Sequence, residues 1–473
     1  MIHKSTIKVD TMQTKRIENR NLRGLWDFLD WPFAFPIIVF FGLIIRVLFL
    51  IYLKDYPLFS DASAYHSIAI NTIKKKQFIP WFNPGVSLYL LLFHSLIGND
   101  SQFASQVSML PIYIALCIGV FLLVNELSNR KAANLTVTIL SLYPEIIYQS
   151  IIPLSQLPAA AILVFVIYLL IYSAKHFSCL LSIILGTLLG ILTLFRSSNI
   201  LLTITMPIVL LRFNYKLRYA LIVVVLGLGI ASAWVYKIYH NTGHLIFICS
   251  SNPANLYFGN NKYTPLYKTW WFASHRKGPE VPSDFIAVYD MIKKLPMKEA
   301  DKAFYQQVLL DIIERPGAFI IRTLNRIRTF FAFDTFCSAN LYMNYKLRYL
   351  SILILIMIFI SYTLLISFAI LFLATYQSLG ISRSYVYLIL LTIFLTAFPY
   401  FIAFSHPIYH FPIFPFITAC AAIFIEKWSS SDIAKKQIKN MLIAKKYYVL
   451  LSLLIIYYIQ IEWIYFNYLR VID

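Results

Sequence analysis

An all-α polytopic membrane protein is the fold class this sequence predicts, and three observations carry that reading. Of its 473 residues, 59% are hydrophobic and 13% charged, too little polar surface for a water-soluble domain. Apolar runs of about membrane length recur from one end to the other. Lys and Arg gather in alternate connections between those runs, as in chains whose loops set their orientation. The formal net charge of +20 is therefore a matter of topology. No basic-aromatic module of a nucleic-acid reader accompanies it, which excludes that class.

The first run, Phe33–Leu53, follows a basic segment, residues 1–32, that lacks a small-residue cleavage site. It reads as an uncleaved span. Further runs fall at Phe103–Val124, Ala132–Tyr148, Pro153–Tyr172, Cys179–Phe195, Asn199–Leu211, Tyr219–Tyr239, Leu350–Thr375, Val386–Phe404, Phe411–Ile425 and Tyr447–Phe466, for 11 spans in all. Val86–Ile97 is apolar but short, and reads as an interfacial helix. Six of the basic residues precede the first span and six more lie between Lys427 and Lys446, which predicts a cytoplasmic N-terminus. Four parts follow: 1–32 inside, 33–239 as an N-terminal membrane part with a first outer loop at 54–102, 240–349 as an outer loop segment, and 350–473 as a C-terminal membrane part.

Chemistry-bearing residues are few, and most collect toward the outer side. LFSDASAYHSIA, residues 58–69, leaves the first span and turns into a surface helix, with Asp61 at its start as cap or first-turn residue. Capping alone is the competing reading for that carboxylate. Glu145, beside Pro144, and Arg46 and Arg196 lie near the outer ends of spans; an ionisable residue there is a functional hypothesis. Snorkelling to the interface is the alternative for both arginines. In ERPGAFIIRTLNRIRTFF, Arg315, Arg322 and Arg326 share one helical face, suited to lipid phosphate at head-group level. His240/His244 and His406/His410 are i, i+4 pairs interrupted by turn residues, with no carboxylate at ligand spacing, and are not read as metal sites. Cys117, Cys179 and Cys420 sit in apolar runs; Cys249 and Cys337 fall in the polar segment and are read as unpaired thiols.

Taken together, FSDASAYHSIA, FNPGVSLY, LYPEIIYQSIIPLSQLP, LTLFRSSN, SSNPANLYFGNN, the ERPGAF helix and HPIYHFPIFPF resemble, in order and spacing, the GT-C glycosyltransferases of the protein-mannosyltransferase and aminoarabinose-transferase group. The resemblance covers roughly residues 30–425. It implies a GT-C-like bundle with outer-face loop segments, and an inverting transferase moving a sugar from a polyprenyl-phosphate donor to a lipid, glycan or protein acceptor. It implies a bacterial inner-membrane setting, with membrane lipids as further partners. It also implies Asp61 as the catalytic aspartate, read here as base, and Arg196 as the family's arginine; the residues themselves add Glu145 as a second carboxylate and Arg322 and Arg326 beside Arg196 as donor-phosphate ligands. Tyr65, His66, Tyr409 and His410 become acceptor or sugar contacts. The chain departs from the pattern at Gln156, where the family often has Glu, and at Ile408, where it often has Arg; it also lacks a DxD or DE pair. No cofactor is assigned beyond an optional divalent metal. A flippase or transporter of a lipid-linked sugar, or a non-catalytic scaffold on the same frame, are the alternatives. No visible internal repeat favours the former.

Overall fold

The computed structural model describes residues 24, 26–75, 80–176, 178–213, 215–267 and 281–472. The basic segment 1–23, read above as cytoplasmic, lies outside them. All regular structure among the described residues is helical.

Among the described residues, eight helical segments are long and apolar enough to cross a membrane. They are α1 (Ala34–Leu53), α4 with α5 (Gln102–Val107, Met109–Leu127), α8 (Gln156–Ser173), α11 (Leu217–Thr242), α17 (Arg348–Thr375), α18 (Arg383–Ile402), the turn Pro407–Ile413 with α19 (Phe414–Ser430), and most of α21 (Lys446–Ile472). The three other runs expected to span form shorter helices. One breaks at Tyr143 into α6 (Arg130–Leu142) and α7 (Pro144–Gln149), because Pro144 pushes the preceding residue to extended backbone. The others are α9 (Cys179–Phe195) and α10 (Ile200–Arg212), separated by a single 3-10 turn at Ser197–Asn199.

Burial orders the bundle. The segment ending in α19 is 89% buried and α8 is 72% buried, whereas α21 is 17% buried. The first two are therefore the centre, and α21 is an outer stave. Arg46 does not snorkel. It is fully buried on α1, its Nη1 donating to Gly42 O (2.8 Å) and Ser141 O (3.0 Å), with the guanidinium 3.5 Å over the Tyr113 ring. It ties α1 to α6.

The two long connections meet each other. The first contains α2 (Ser60–Lys75) and α3 (Pro84–Ile97); the second contains α12 (Asn252–Gly259), α13 (Ser283–Lys293), α14 (Met297–Glu314), α15 (Pro316–Phe330) and α16 (Phe336–Met343). Ser250 N–H donates to Pro80 O (2.9 Å), and the Lys293 ammonium sits 4.8 Å from the Trp81 ring centroid. The second connection has its own small core, in which Tyr257, Phe258, Phe285, Tyr289 and Phe304 pack ring on ring.

Helix α15 reverses the expected amphipathic arrangement. Its apolar residues Ile320, Ile321 and Leu324 are exposed, and its arginines Arg322 and Arg326 are buried. Cys249 and Cys337, like the other three cysteines, are free thiols.

Candidate functional site

The centre of the site is a break between two helices. Helix α9 ends at Phe195, and Arg196 follows in extended backbone (φ −148°, ψ 107°). Three contacts hold that break against the two long connections. Gly85, in the first turn of α3, lies so close to it that a Cβ would fall 2.7 Å from the Phe195 Cα and N. Asn83 Oδ1 accepts from Ser197 N–H (3.1 Å), and Ser197 Oγ donates to Asn252 Oδ1 (3.2 Å). The Asn-Pro-Gly of FNPGVSLY thus has a local reason: Asn to clip, Pro to start α3 at its first position, Gly to allow the approach.

Arg196 is only 5% exposed, yet among the described residues no carboxylate is bonded to it. Its Nε–H donates to Tyr400 Oη (2.9 Å), and its guanidinium carbon lies 5.4 Å from the ring centroids of both Tyr400 and Tyr409. Those two rings stack at 4.6 Å and 14°. A cation over stacked phenol faces gains from their quadrupoles without being neutralised. The buried Nη1 has no hydrogen-bond partner among the described residues. That atom is a donor in want of an oxygen.

Asp61 heads α2 and is exposed. Ser60, directly before it, stands at φ 52°, left-handed backbone that costs a non-glycine residue of order 1–2 kcal/mol. Tyr345 holds the lead-in, its ring centroid 4.8 Å from Tyr56 and 5.6 Å from Phe59. One turn on from Asp61, Tyr65 is buried against Phe82 (5.3 Å). Burial chiefly, and then the Asp61 charge, push the Tyr65 hydroxyl far up, with Arg196 pulling the other way. It stays a neutral phenol. Tyr409 likewise lies within electrostatic reach of both Asp61 and Arg196. Tyr65 and Tyr409 thus each lie within electrostatic reach of both Asp61 and Arg196, which brings four of the residues singled out in the sequence near one another.

The others go elsewhere. Arg322 gives Nη1 to Asp311 (2.6 Å) and Nη2 to the carbonyls of Asn261 (3.0 Å) and Thr264 (2.7 Å). Arg326 gives Nη1 to the carbonyls of Phe401 (3.2 Å) and Ile402 (2.6 Å), and Nη2 to Gly259 O and to Asn260 Oδ1 (2.9 Å). Both terminal nitrogens of each are spent inside the fold, which does not fit the phosphate role read for them. Glu145 is buried, accepting from Cys337 N–H (3.2 Å) and from Gln149 Nε2 (3.3 Å), near a second buried acid, Asp334. His410 bonds through Nδ1 to Phe330 O (2.9 Å) and stacks on Tyr362 (4.9 Å), a packing role. His66 turns its Nδ1 to Ser105 Oγ (2.9 Å). Sequence reasoning missed Tyr400, whose partner Arg196 is 204 positions away. It also missed Asp334, although a lone Asp in FAFDTF was a visible signal. Among the described residues, no group of three or more His, Cys, Asp or Glu side chains could hold a metal.

The helices and their hydropathy make this chain an all-helical polytopic membrane protein with a buried, aromatic-caged guanidinium near an exposed carboxylate. Solved structures with some likeness to it include two archaeal ones. The Archaeoglobus fulgidus oligosaccharyltransferase in its apo form aligns over 93% of this chain and 56% of its own, at 12% identity and a TM-score of 0.49. AglB from the same organism, in complex with an inhibitory peptide and a dolichol-phosphate, aligns over 90% of this chain and 54% of its own, at 12% identity and a TM-score of 0.42. The chain spans about half the length of these structures. No protein-family model matches the sequence, and no curated relative does. At such TM-scores the likeness carries no argument about activity, and the functional reading rests on the chain's own residues.

Proposed function

We propose that this protein is an integral-membrane, inverting glycosyltransferase that takes a sugar from a polyprenyl-phosphate donor. The acceptor is a hydroxyl or amide of a lipid, glycan or protein, met on the outer face with the N-terminus inside. The observation that carries the reading is the unspent Nη1 of Arg196, buried in its tyrosine cage beside Tyr65 and Tyr409, which both feel Asp61. A guanidinium held by aromatic faces and one phenol oxygen keeps its charge and a forward N–H for a phosphate oxygen.

The chemistry divides between the two groups. Asp61 takes the proton of the acceptor as its oxygen or nitrogen bonds to the anomeric carbon. The carbon–oxygen bond to phosphate breaks, its electron pair leaving with the polyprenyl phosphate. Arg196 stabilises the charge gathering on that leaving oxygen, where a preorganised donor in a dry site is worth most. Tyr65 and Tyr409 wall the space between. The lipid phosphate is itself the leaving group, so the scheme needs no nucleotide-binding glycine loop.

The test is transfer from a synthetic polyprenyl-phosphate sugar to endogenous acceptors, followed by mass spectrometry of envelope glycolipids and glycoproteins with and without the protein. Asp61→Asn should abolish transfer while inserting normally. A variant retaining more than about a tenth of the wild-type rate, a loss of only ~1.4 kcal/mol, removes Asp61 from the base role. Arg196→Lys keeps the charge but loses the fork. It should raise the donor KM and leave the acceptor KM unchanged; equal effects on both overturn the phosphate assignment.

A further inference from the structure

Helix α2 carries Asp61, and one buried hydroxyl, 0% exposed, links that helix to two others. Ser105 Oγ on α4 lies 2.9 Å from His66 Nδ1 on α2 and 2.9 Å from His94 Nε2 on α3. His94 Nδ1 lies 2.6 Å from Asn99 O. That carbonyl is brought back by Gly98, which ends α3 in left-handed backbone (φ 68°).

The direction of the chain follows from what each atom can do. A carbonyl only accepts, so Nδ1 of His94 carries the proton. A neutral His94 must then accept at Nε2, from the Ser105 hydroxyl. Ser105 Oγ in turn accepts from His66 Nδ1–H, which leaves Nε2 of His66 as a lone pair. Every proton is placed once. Two further bonds run in parallel, Leu58 N–H to Gln102 Oε1 (2.8 Å) and Ser87 Oγ to Tyr65 O (3.2 Å).

We propose that the His66–Ser105–His94 chain is a positioning brace that holds the Asp61 helix in register with α3 and α4. The proposal rests on the reading of Asp61 as base. Loss of the Ser105 hydroxyl, or of the His94 nitrogen that accepts from it, breaks the link between α2 and the other two helices. The titratable and charged neighbours are Asp100, ion-paired to Lys74, and Tyr89, whose hydroxyl is given to Ser108 O. Partial burial first, and His94 second, hold the His66 imidazole below its ordinary value, against a pull from Asp100.

Hydrogen–deuterium exchange of full-length protein in detergent tests this without needing turnover. Ser105→Ala should speed exchange across residues 60–75 about tenfold over wild type, and Ser105→Thr, which restores the hydroxyl, should not. His94→Leu, which removes the acceptor of the Ser105 hydroxyl, should speed exchange over the same residues about as much as Ser105→Ala. Ser105→Ala within twofold of wild type overturns the brace. If that variant does not fold, His94→Leu decides: exchange within about twofold of wild type overturns the proposal. Absence of any sugar transfer by wild-type protein would sink the functional reading alone, since exchange still reports on the brace.

Discussion

Asp334 shows what burial does to a single carboxyl. Its Oδ1 accepts from Phe336 N–H (2.9 Å), its Oδ2 is buried without a partner, and burial pushes its pKa up to about 7. The neighbouring carboxyl of Glu145 bonds to the very next amide, Cys337 N–H, so two acids crowd one helix start. In the unfolded chain Asp334 ionises near pH 4. Between there and about pH 7 the folded state holds a proton that the unfolded state has lost, so stability falls as pH rises through that window. The slope approaches about 1.4 kcal/mol per pH unit at most for one proton. Thermal unfolding in detergent should therefore give a lower Tm at pH 8 than at pH 5.5. Asp334→Asn should flatten that difference and raise the Tm at pH 8; a variant with the wild-type slope would show that the sensitivity lies elsewhere.

Among the elements, α3 is the one whose placement the site depends on most. A methyl on Gly85 meets Phe195 backbone, which cannot rotate away as a side chain could. Gly85→Ala should cost about 1–3 kcal/mol in stability and raise the donor KM, by shifting Arg196 relative to Asp61. Gly229→Ala, with nothing within 4 Å of its new Cβ, is the control and should be neutral or slightly stabilising. A Gly85→Ala protein with wild-type Tm and kinetics would show that the approach is not needed. The helices themselves were legible in the sequence, because membrane-length hydropathy is a local property. So was the placing of Asp61 at a helix start, and of Arg196 at a helix end. What could not be read was the inward turn of Arg322 and Arg326. Spacing shows that they share a face but not which way that face points, and the habit of soluble helices suggests outward. Here the apolar face of α15 is the exposed one, and internal carbonyls, with Asp311 for Arg322, take the terminal nitrogens of the cations. The tyrosine cage was equally hidden, since Tyr400 and Arg196 meet only through tertiary structure.

The molecule as a whole joins a long bundle to two connections without covalent cross-links, since all five cysteines are free. Thiol mass-tagging after denaturation should count five with or without reductant; three without and five with would mean that Cys249 and Cys337 are bridged. Arg326 has a further consequence, and it concerns time. Two of its carbonyl acceptors, Phe401 and Ile402, lie 75 and 76 residues further along the chain. At a synthesis rate of about 5–20 residues per second, the arginine exists for roughly 4–15 seconds before those partners are made. During that interval only its Nη2 has partners, Gly259 and Asn260, and its Nη1 has none from α18. This arginine therefore completes its bonds only once α18 has been made, although α15 is made in the middle.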